Sequence, residues 1–156
     1  MARSADPQVT ARVLAEVDRV LPERARVIVD GSWAFGLVDE PLAEVSRWPR
    51  ERVAWIEDPF PAEASEKYRR FVERSPVPVS AGDEVTDPET LVRLVEHSRM
   101  DLLRIDVATI GGITAAVRLL DRLEPTGVSV STHICPRSRC TWRVPTPRSR
   151  RWRHST

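Results

Sequence analysis

The chain has 156 residues, 41% of them hydrophobic and 30% charged, which is typical of a globular protein with one core. Its formal net charge is +1, no apolar run approaches the ~20 residues that cross a membrane, and its N-terminus does not resemble a secretory signal. Two cysteines, Cys135 and Cys140, provide no disulfide framework and disfavour a zinc site. We therefore expect a cytoplasmic protein.

Helical and strand-like segments alternate along the chain. Helices are predicted where apolar residues recur at helical spacing, over 7–21, 41–48, 62–74, 88–97 and 113–123. Strands are predicted where short apolar runs lead to a polar residue, over 25–30, 53–57, 78–83, 102–106 and 128–133. This alternation predicts parallel βα units in an α/β fold.

Each predicted strand ends at an ionisable residue. These residues follow one another at intervals of 23 to 27 positions, and they are Asp30, Glu57, Asp83, Asp106 and His133. In a (β/α)8 barrel the strand ends form one rim, where the chemistry lies. An open doubly wound sheet would also alternate strands and helices, but it usually collects its polar residues at one switch point. The pattern therefore favours a barrel.

Three carboxylates end consecutive predicted strands. Asp30, Glu57 and Asp83 would repel one another unless a divalent cation lay between them, and carboxylate oxygens are the ligands that Mg2+ prefers. Each acid taken alone is better explained as a helix N-cap or a solvated loop residue. Their matched positions favour a metal site.

An acid and an imidazole end the next two strands. If Asp106 lies beside His133, the carboxylate fixes the imidazole tautomer and raises its basicity, which makes a general base near neutral pH. The alternative is that His133 is an ordinary polar loop residue.

Taken together, these motifs resemble a known family. Asp30 precedes Gly-Ser-Trp, and the later strands carry Trp-Ile-Glu-Asp-Pro, Ala-Gly-Asp-Glu and Ile-Asp-x4-Gly-Gly-Ile-Thr before His133. Over about residues 6–136 this order resembles the C-terminal barrel domain of the enolase superfamily, in the mandelate racemase group of the mandelate racemase/muconate lactonizing enzyme family. The resemblance implies a partial (β/α)8 TIM barrel that contains strands three to seven.

The resemblance also implies a chemistry. It makes Asp30, Glu57 and Asp83 the Mg2+ ligands and Asp106 with His133 the acid/base dyad that removes the proton α to a carboxylate. The metal stabilises the enediolate that results. Members of the group are lyases that dehydrate acid sugars or isomerases that racemise hydroxy acids. The implied partner is therefore a small hydroxy acid or acid sugar, and complete relatives are expected to form homo-oligomers. We expect no membrane or nucleic-acid partner.

Residues 1–135 therefore form the predicted partial barrel domain, and residues 136–156 form a basic tail with seven arginines and no acid. Earlier barrel strands and a capping domain would precede residue 1, so we expect a fragment whose isolated activity is in doubt. The alternative function is a non-catalytic remnant whose basic tail binds nucleic acid or another acidic partner.

The tail departs abruptly from the pattern that precedes it. Its arginine-rich, aperiodic sequence is typical of disorder. Suppose that residues 136–153 are encoded by GC-rich codons, and that translation is shifted so that each new codon starts at the third base of the old one. The shifted translation is then Pro-Glu-Val-Glu-Val-His-Leu-Ala-Cys-Ala-His-Pro-Glu-Val-Ala-Ala-Val-Glu. This string regains helical spacing and resembles the family segment that ends at the glutamate of the eighth strand.

We predict that residues 136–156 are a frameshifted translation of that segment. Sequencing the coding DNA across codons 130–156 tests this, and a family-like continuation should appear in an alternative frame. An intact frame with no such continuation in either alternative frame would refute it, and would favour the basic-arm interpretation.

Overall fold

A computed structural model of the chain describes residues 7–133. The five helices of this part are α1 (Pro7–Val20), α2 (Asp39–Val45), α3 (Ser65–Val72), α4 (Pro88–Ser98) and α5 (Ile113–Leu123). Its five strands are β1 (Val27–Asp30), β2 (Val53–Glu57), β3 (Val79–Ala81), β4 (Leu102–Ile105) and β5 (Ser129–Thr132). The predicted tail and both cysteines lie outside the described residues.

The strands form one parallel sheet in the order β1-β2-β3-β4-β5. Because each strand lies beside its predecessor, the described sheet contains no point where the strand order reverses. The predicted α/β alternation is confirmed, and the doubly wound alternative is not what this part of the chain adopts. No helix within residues 7–133 has the length and apolar character needed to cross a bilayer.

The two faces of the sheet carry different side chains. One face packs against the helices through side chains that are at most 1% exposed, namely Val29, Ile56, Leu103 and Ile105. The alternate positions form the inner face, which we define by Trp55, Glu57, Ser80 and Arg104. Contacts of Arg104 with both Glu57 and Trp55 confirm that β2 and β4 present these residues on the same side.

A cluster of buried aromatic rings supports the turn that follows β2. Phe60 packs edge to face on Tyr68 and Phe71, with ring centroids 5.5 and 5.7 Å away, and Phe35 lies at 6.5 Å. The Tyr68 hydroxyl donates a hydrogen bond to the Phe60 carbonyl. This packing fixes the backbone directly after Glu57, because each ring is at most 4% exposed.

Two helices differ at their ends from the sequence-based prediction. Helix α2 begins at Asp39, because the Glu40 carboxylate accepts hydrogen bonds from the Gly36 and Leu37 amides at 2.9 and 3.0 Å and so turns the chain earlier. Helix α3 begins at Ser65 and ends at Val72, a shorter span than predicted. Local side-chain hydrogen bonds of this kind compete with helical ones, and hydrophobic spacing does not reveal them.

Arg52 joins the end of the first helix to the start of β2. Its guanidinium donates to the carbonyls of Pro22, Glu23 and Leu21, at 3.0, 2.6 and 3.3 Å, and pairs with Asp18. These carbonyls lie just after α1 and accept no hydrogen bond from a following turn of helix. The buried Arg52 guanidinium therefore supplies donors to several of them.

We predict that Arg52→Ala lowers the free energy of unfolding by about 2–4 kcal/mol, because it leaves partly buried carbonyls without donors. Urea unfolding followed by circular dichroism measures the change. Arg19→Ala is the matched control, since within residues 7–133 the ion pair of Arg19 is with the exposed Glu16, and its loss should change stability by less than about 0.5 kcal/mol. Equal effects of the two substitutions would contradict the prediction.

Candidate functional site

The carboxyl ends of three strands bring together potential metal ligands. Glu57 ends β2, Asp83 follows β3 and His133 follows β5, and one ligand atom from each lies within 4.8 Å of the others. His133 Nδ1 lies 2.9 Å from Asp83 Oδ2. Residues up to 76 positions apart in the chain therefore meet at one edge of the sheet.

Gly82 allows Asp83 to reach this edge. Its φ is +116°, and a Cβ at this position would lie 2.8 Å from the Arg104 carbonyl oxygen and 2.8 Å from a Leu91 methyl carbon. Only glycine tolerates both the conformation and the close approach. The turn after β3 is thus set by backbone geometry that no other residue could adopt without displacement.

The loop after β1 packs directly on the turn after β2. The Gly31 amide donates to the Glu57 carbonyl at 2.6 Å, and the Trp33 amide donates to the Asp58 carbonyl at 2.8 Å. A Cβ on Gly31 would lie 2.8 Å from Pro59 Cα, so a side chain here would push the two loops apart. These contacts hold Glu57 and Asp58 in place although Asp58 has a left-handed φ of 45°.

Three buried carboxyl groups crowd the site. Glu57, Asp58 and Asp83 are only 6%, 6% and 9% exposed. Burial raises the pKa of Asp58 to about 8, and the adjacent Asp83 carboxyl contributes to the same shift, while the Gly82 amide opposes it. Burial also raises the pKa of Glu57, against the Trp55 indole and Arg104, which favour its charged form. Asp58 therefore keeps a proton near neutral pH, because burial disfavours its charged form.

Each oxygen of the Glu57 carboxylate has a nitrogen donor. Trp55 Nε1 donates to Oε2 at 2.8 Å, and Arg104 Nε lies 3.2 Å from Oε1. Both donors come from the inner face: Trp55 lies two residues before Glu57, which ends β2, and Arg104 lies one residue before Ile105, which ends β4. Glu57 is therefore oriented by the layer of side chains directly beneath it.

His133 Nδ1 has two neighbours that make opposite demands. Asp83 Oδ2 at 2.9 Å requires a proton on Nδ1, whereas Arg104 Nε at 3.3 Å could only donate to an unprotonated nitrogen. The contact to the carboxylate is shorter and favours the Nδ1–H tautomer. That tautomer leaves the Nε2 lone pair available to accept a proton.

The other two predicted site residues make local contacts. Asp30 is the register partner of Glu57, but it lies outside the 4.8 Å cluster, and its Oδ1 accepts a hydrogen bond from the Ser32 amide at 2.8 Å. Asp106 Oδ1 accepts from the Ala108 amide at 2.8 Å. Among the described contacts, none joins Asp106 to His133, although the His133 amide donates to the Ile105 carbonyl at 2.7 Å and so brings the two strand ends together.

Sequence reasoning gave no role to Asp58, Trp55 or Arg104. Asp58 is visible in the Glu-Asp-Pro motif, but nothing local shows that its side chain turns inward to meet Asp83. Trp55 and Arg104 lie two residues before Glu57 and Asp106, and the strand period of two would have placed them on the same face. That period was the available signal for them.

A cleft of about 290 Å3 opens beside the cluster, between the loops after β1, β2 and β3. Its lining includes four carboxylates and one exposed indole; the residues are Trp33, Asp58, Pro61, Ala62, Glu63, Glu84, Val85, Thr86, Asp87 and Thr90. An anionic ligand would be repelled by this lining.

The donor set fits a divalent cation. Two buried carboxylates supply hard oxygen ligands. Burial is the main reason why the pKa values of Glu57 and Asp58 are raised, so a cation bound here would stabilise their charged forms. The Ser80 hydroxyl, on the inner face next to Glu57, is fully buried and has no hydrogen-bond partner in the described part of the chain. A polar ligand or a metal-coordinated water at this edge could supply the hydrogen bond that the Ser80 hydroxyl lacks.

A family model and curated proteins match this chain. The model described as enolase C-terminal domain-like matches residues 2–144. The D-galactonate dehydratase of Ralstonia pickettii (strain 12J) is 31% identical over 103 residues, which cover 65% of this chain and 27% of that protein. The chain therefore spans about a quarter of the length of this curated relative.

Solved structures share the fold. L-talarate dehydratase from Polaromonas sp. JS666, complexed with Mg and L-glucarate, has a TM-score of 0.79 at 19% identity, covering 86% of this chain and 38% of that one. An enolase from Bradyrhizobium, complexed with magnesium and mandelic acid, has a TM-score of 0.79 at 20% identity, covering 86% and 37%. The likeness shows that the described sheet has the fold of a partial TIM barrel, as predicted.

We predict that Asp58→Asn reduces the pH dependence of stability in cation-free protein. The Asp58 pKa rises on folding from 3.8 to about 8, so the folded state keeps a proton that the unfolded chain releases. This contribution to stability is complete below about pH 4 and is lost as pH rises through about 8. Asp58→Asn should therefore be more stable than the wild type near pH 8.

Urea unfolding in EDTA, over that pH range, measures the effect. Asp101→Asn, which removes an exposed carboxylate, serves as the control and should keep the wild-type slope. An unchanged slope in Asp58→Asn would show that Asp58 is not the proton-holding group.

Proposed function

Because its sequence from residue 2 to 144 matches the family model, the chain belongs to the enolase C-terminal domain-like family, and we propose that it carries the metal and base residues of a Mg2+-dependent enzyme. The reaction proposed is removal of the proton α to a carboxylate in a small hydroxy acid. The observation that carries this proposal is the convergence of Glu57, Asp83 and His133 at one edge of the sheet, where both acids are buried.

Glu57 and Asp83 are proposed as two ligands of the cation. For the third ligand we propose Asp30, because its backbone pairs with that of Glu57 and neighbouring parallel strands lie about 4.8 Å apart. A change of side-chain rotamer away from the Ser32 amide would be needed to bring its carboxylate in. His133 is the alternative third ligand, since its Nδ1 already lies in the cluster.

His133 is proposed as the base. The Nδ1–H tautomer that Asp83 favours leaves Nε2 able to take the α proton, and its side chain is 29% exposed, so a ligand can reach it. Asp106, at the neighbouring strand end, is proposed as its orienting partner after substrate binds. A bound Mg2+ would supply positive charge that stabilises the negative charge developing on the substrate carboxylate.

We propose an acid sugar as the substrate and dehydration as the outcome. The curated relative is a D-galactonate dehydratase, and one structural neighbour is a dehydratase bound to L-glucarate. In such a reaction the α C–H bond breaks, its electrons form a C=C bond, and the β C–O bond breaks as water leaves. A racemase, which returns the proton instead, is the second candidate, since another neighbour is complexed with mandelic acid.

The expectations about the basic tail, the cellular location and the oligomeric state of relatives stay predictions. A basic tail that binds nucleic acid rests on residues outside 7–133, and nothing in the described structure favours it. A cytoplasmic location and homo-oligomeric relatives likewise remain expectations.

We predict different effects for the proposed ligand and the proposed base. Asp30→Asn should weaken Mn2+ binding at least tenfold, because it removes one charged ligand. His133→Asn should leave Mn2+ affinity within about twofold and abolish exchange of the α proton of D-galactonate into deuterated water. Calorimetry measures the affinity, and proton NMR measures the exchange.

Asp39→Asn, at an exposed acid of α2, is the control and should match the wild type in both measurements. If His133→Asn loses Mn2+ binding while Asp30→Asn retains it, His133 is a ligand and the proposed assignment is wrong. If wild-type protein binds no divalent cation, the proposed function fails.

A further inference from the structure

We propose that Arg104 is a built-in competitor of the cation: in the cation-free protein its guanidinium neutralises Glu57, and a divalent ion must displace it to bind. The inference rests on the proposed function, because it concerns the same cation site. It adds a residue to which the sequence pattern assigned no role.

Arg104 lies between two of the three clustered ligands. Its Nε is 3.2 Å from Glu57 Oε1 and 3.3 Å from His133 Nδ1. The side chains of Arg104 and Glu57 are 17% and 7% exposed, so solvent screens this ion pair only partly. A positive group therefore already occupies the gap between Glu57 and His133.

A divalent cation and this guanidinium cannot both remain there. Mg2+ binds carboxylate oxygens at about 2.0–2.1 Å, so an ion on Glu57 would lie within a few ångströms of Arg104 Nε. Like charges at that separation repel strongly in a partly buried site. Glu57 Oε2 offers no easy alternative, since Trp55 Nε1 already donates to it at 2.8 Å.

The inner face offers other contacts to the Arg104 guanidinium once it leaves Glu57. Its guanidinium carbon lies 5.8 Å from the centre of the Trp55 ring, a distance at which the ring attracts a cation. The buried hydroxyl of Ser80, which has no partner among the described residues, lies on the same face. Arg104 can therefore leave Glu57 and still keep favourable contacts in the layer beneath it.

Mn2+ binding to Arg104→Gln tests the proposal. If Arg104 stabilises only the cation-free state, the variant should bind Mn2+ about five- to tenfold more tightly than the wild type, the range of a lost, partly buried ion pair. Electron paramagnetic resonance of free Mn2+ measures the affinity. In urea unfolding the variant should be less stable than the wild type in EDTA, and the difference should shrink at saturating Mn2+.

Two controls separate direct competition from a change in total charge. Arg93→Gln removes an arginine that is 61% exposed and lies 3.7 Å from Asp87, and it should leave Mn2+ affinity unchanged. Each affinity is measured at low and at high salt, because salt screens distant charges more than contacting ones. The effect of Arg104→Gln should persist at high salt.

Each outcome decides between the proposals. If Arg104→Gln binds Mn2+ as the wild type does, or more weakly, or if its gain disappears at high salt, competition is refuted while the cation site stands. If neither protein binds Mn2+, the cation site itself fails and the inference falls with it. Should Arg104→Gln not fold, Arg104→Met removes the charge while keeping much of the apolar stem. Tighter Mn2+ binding by that variant carries the same meaning, and unchanged or weaker binding refutes competition.

Discussion

The repulsion among three buried carboxyl groups is the constraint on which this structure depends. Glu57, Asp58 and Asp83 lie at the end of a parallel sheet, each less than a tenth exposed, with the Arg104 guanidinium beside Glu57 and the His133 imidazole beside Asp83. Isolated acids in such surroundings would protonate or move to solvent. Burial is the main cause of the raised pKa values of Glu57 and Asp58, and the neighbouring Asp83 carboxyl adds to both shifts. The proposed divalent cation would relieve the same crowding of charge.

The backbone around the acids is shaped to keep them together. Gly31 and Gly82 each remove a Cβ that would lie 2.8 Å from a neighbouring backbone atom, so the loops after β1 and β3 can close on the turn after β2. Phe60 and Tyr68 hold that turn from below through ring packing and a hydrogen bond. The packing of these loops and rings stabilises the fold and so offsets the repulsion among the three acids. The acids therefore stay in place before any ligand binds.

Arg104 gives the site a charge of its own. Together with Trp55 it contacts both oxygens of Glu57 from the layer beneath, so the carboxylate is oriented as well as partly neutralised. His133 lies at the junction of this layer and Asp83, and its tautomer is decided by which neighbour is closer. In the proposed function, the affinity for a cation and the availability of the base would therefore depend on the same small group of contacts.

Strand ends were predictable from the sequence because a buried strand needs a continuous apolar run, and a charge ends it. Glu57 and Ile105 end β2 and β4 at or within one residue of the predicted positions. Helix ends were less predictable: the Glu40 carboxylate starts α2 early through hydrogen bonds to loop amides, which leave no mark on hydrophobic spacing. The candidate ligands Glu57 and Asp83 and the candidate base His133 were named from their strand-end positions and from a family resemblance.

The sequence by itself determined the alternation of strands and helices, the parallel sheet and the edge at which its ionisable residues gather. These properties follow from local patterns of apolar and charged residues, which are written along the chain. Only the tertiary structure decided that Asp58 turns inward, that Asp30 lies outside the cluster and that Arg104 reaches Glu57. Those outcomes depend on side-chain rotamers and on contacts between residues tens of positions apart, and such contacts exist only once the strands are packed side by side.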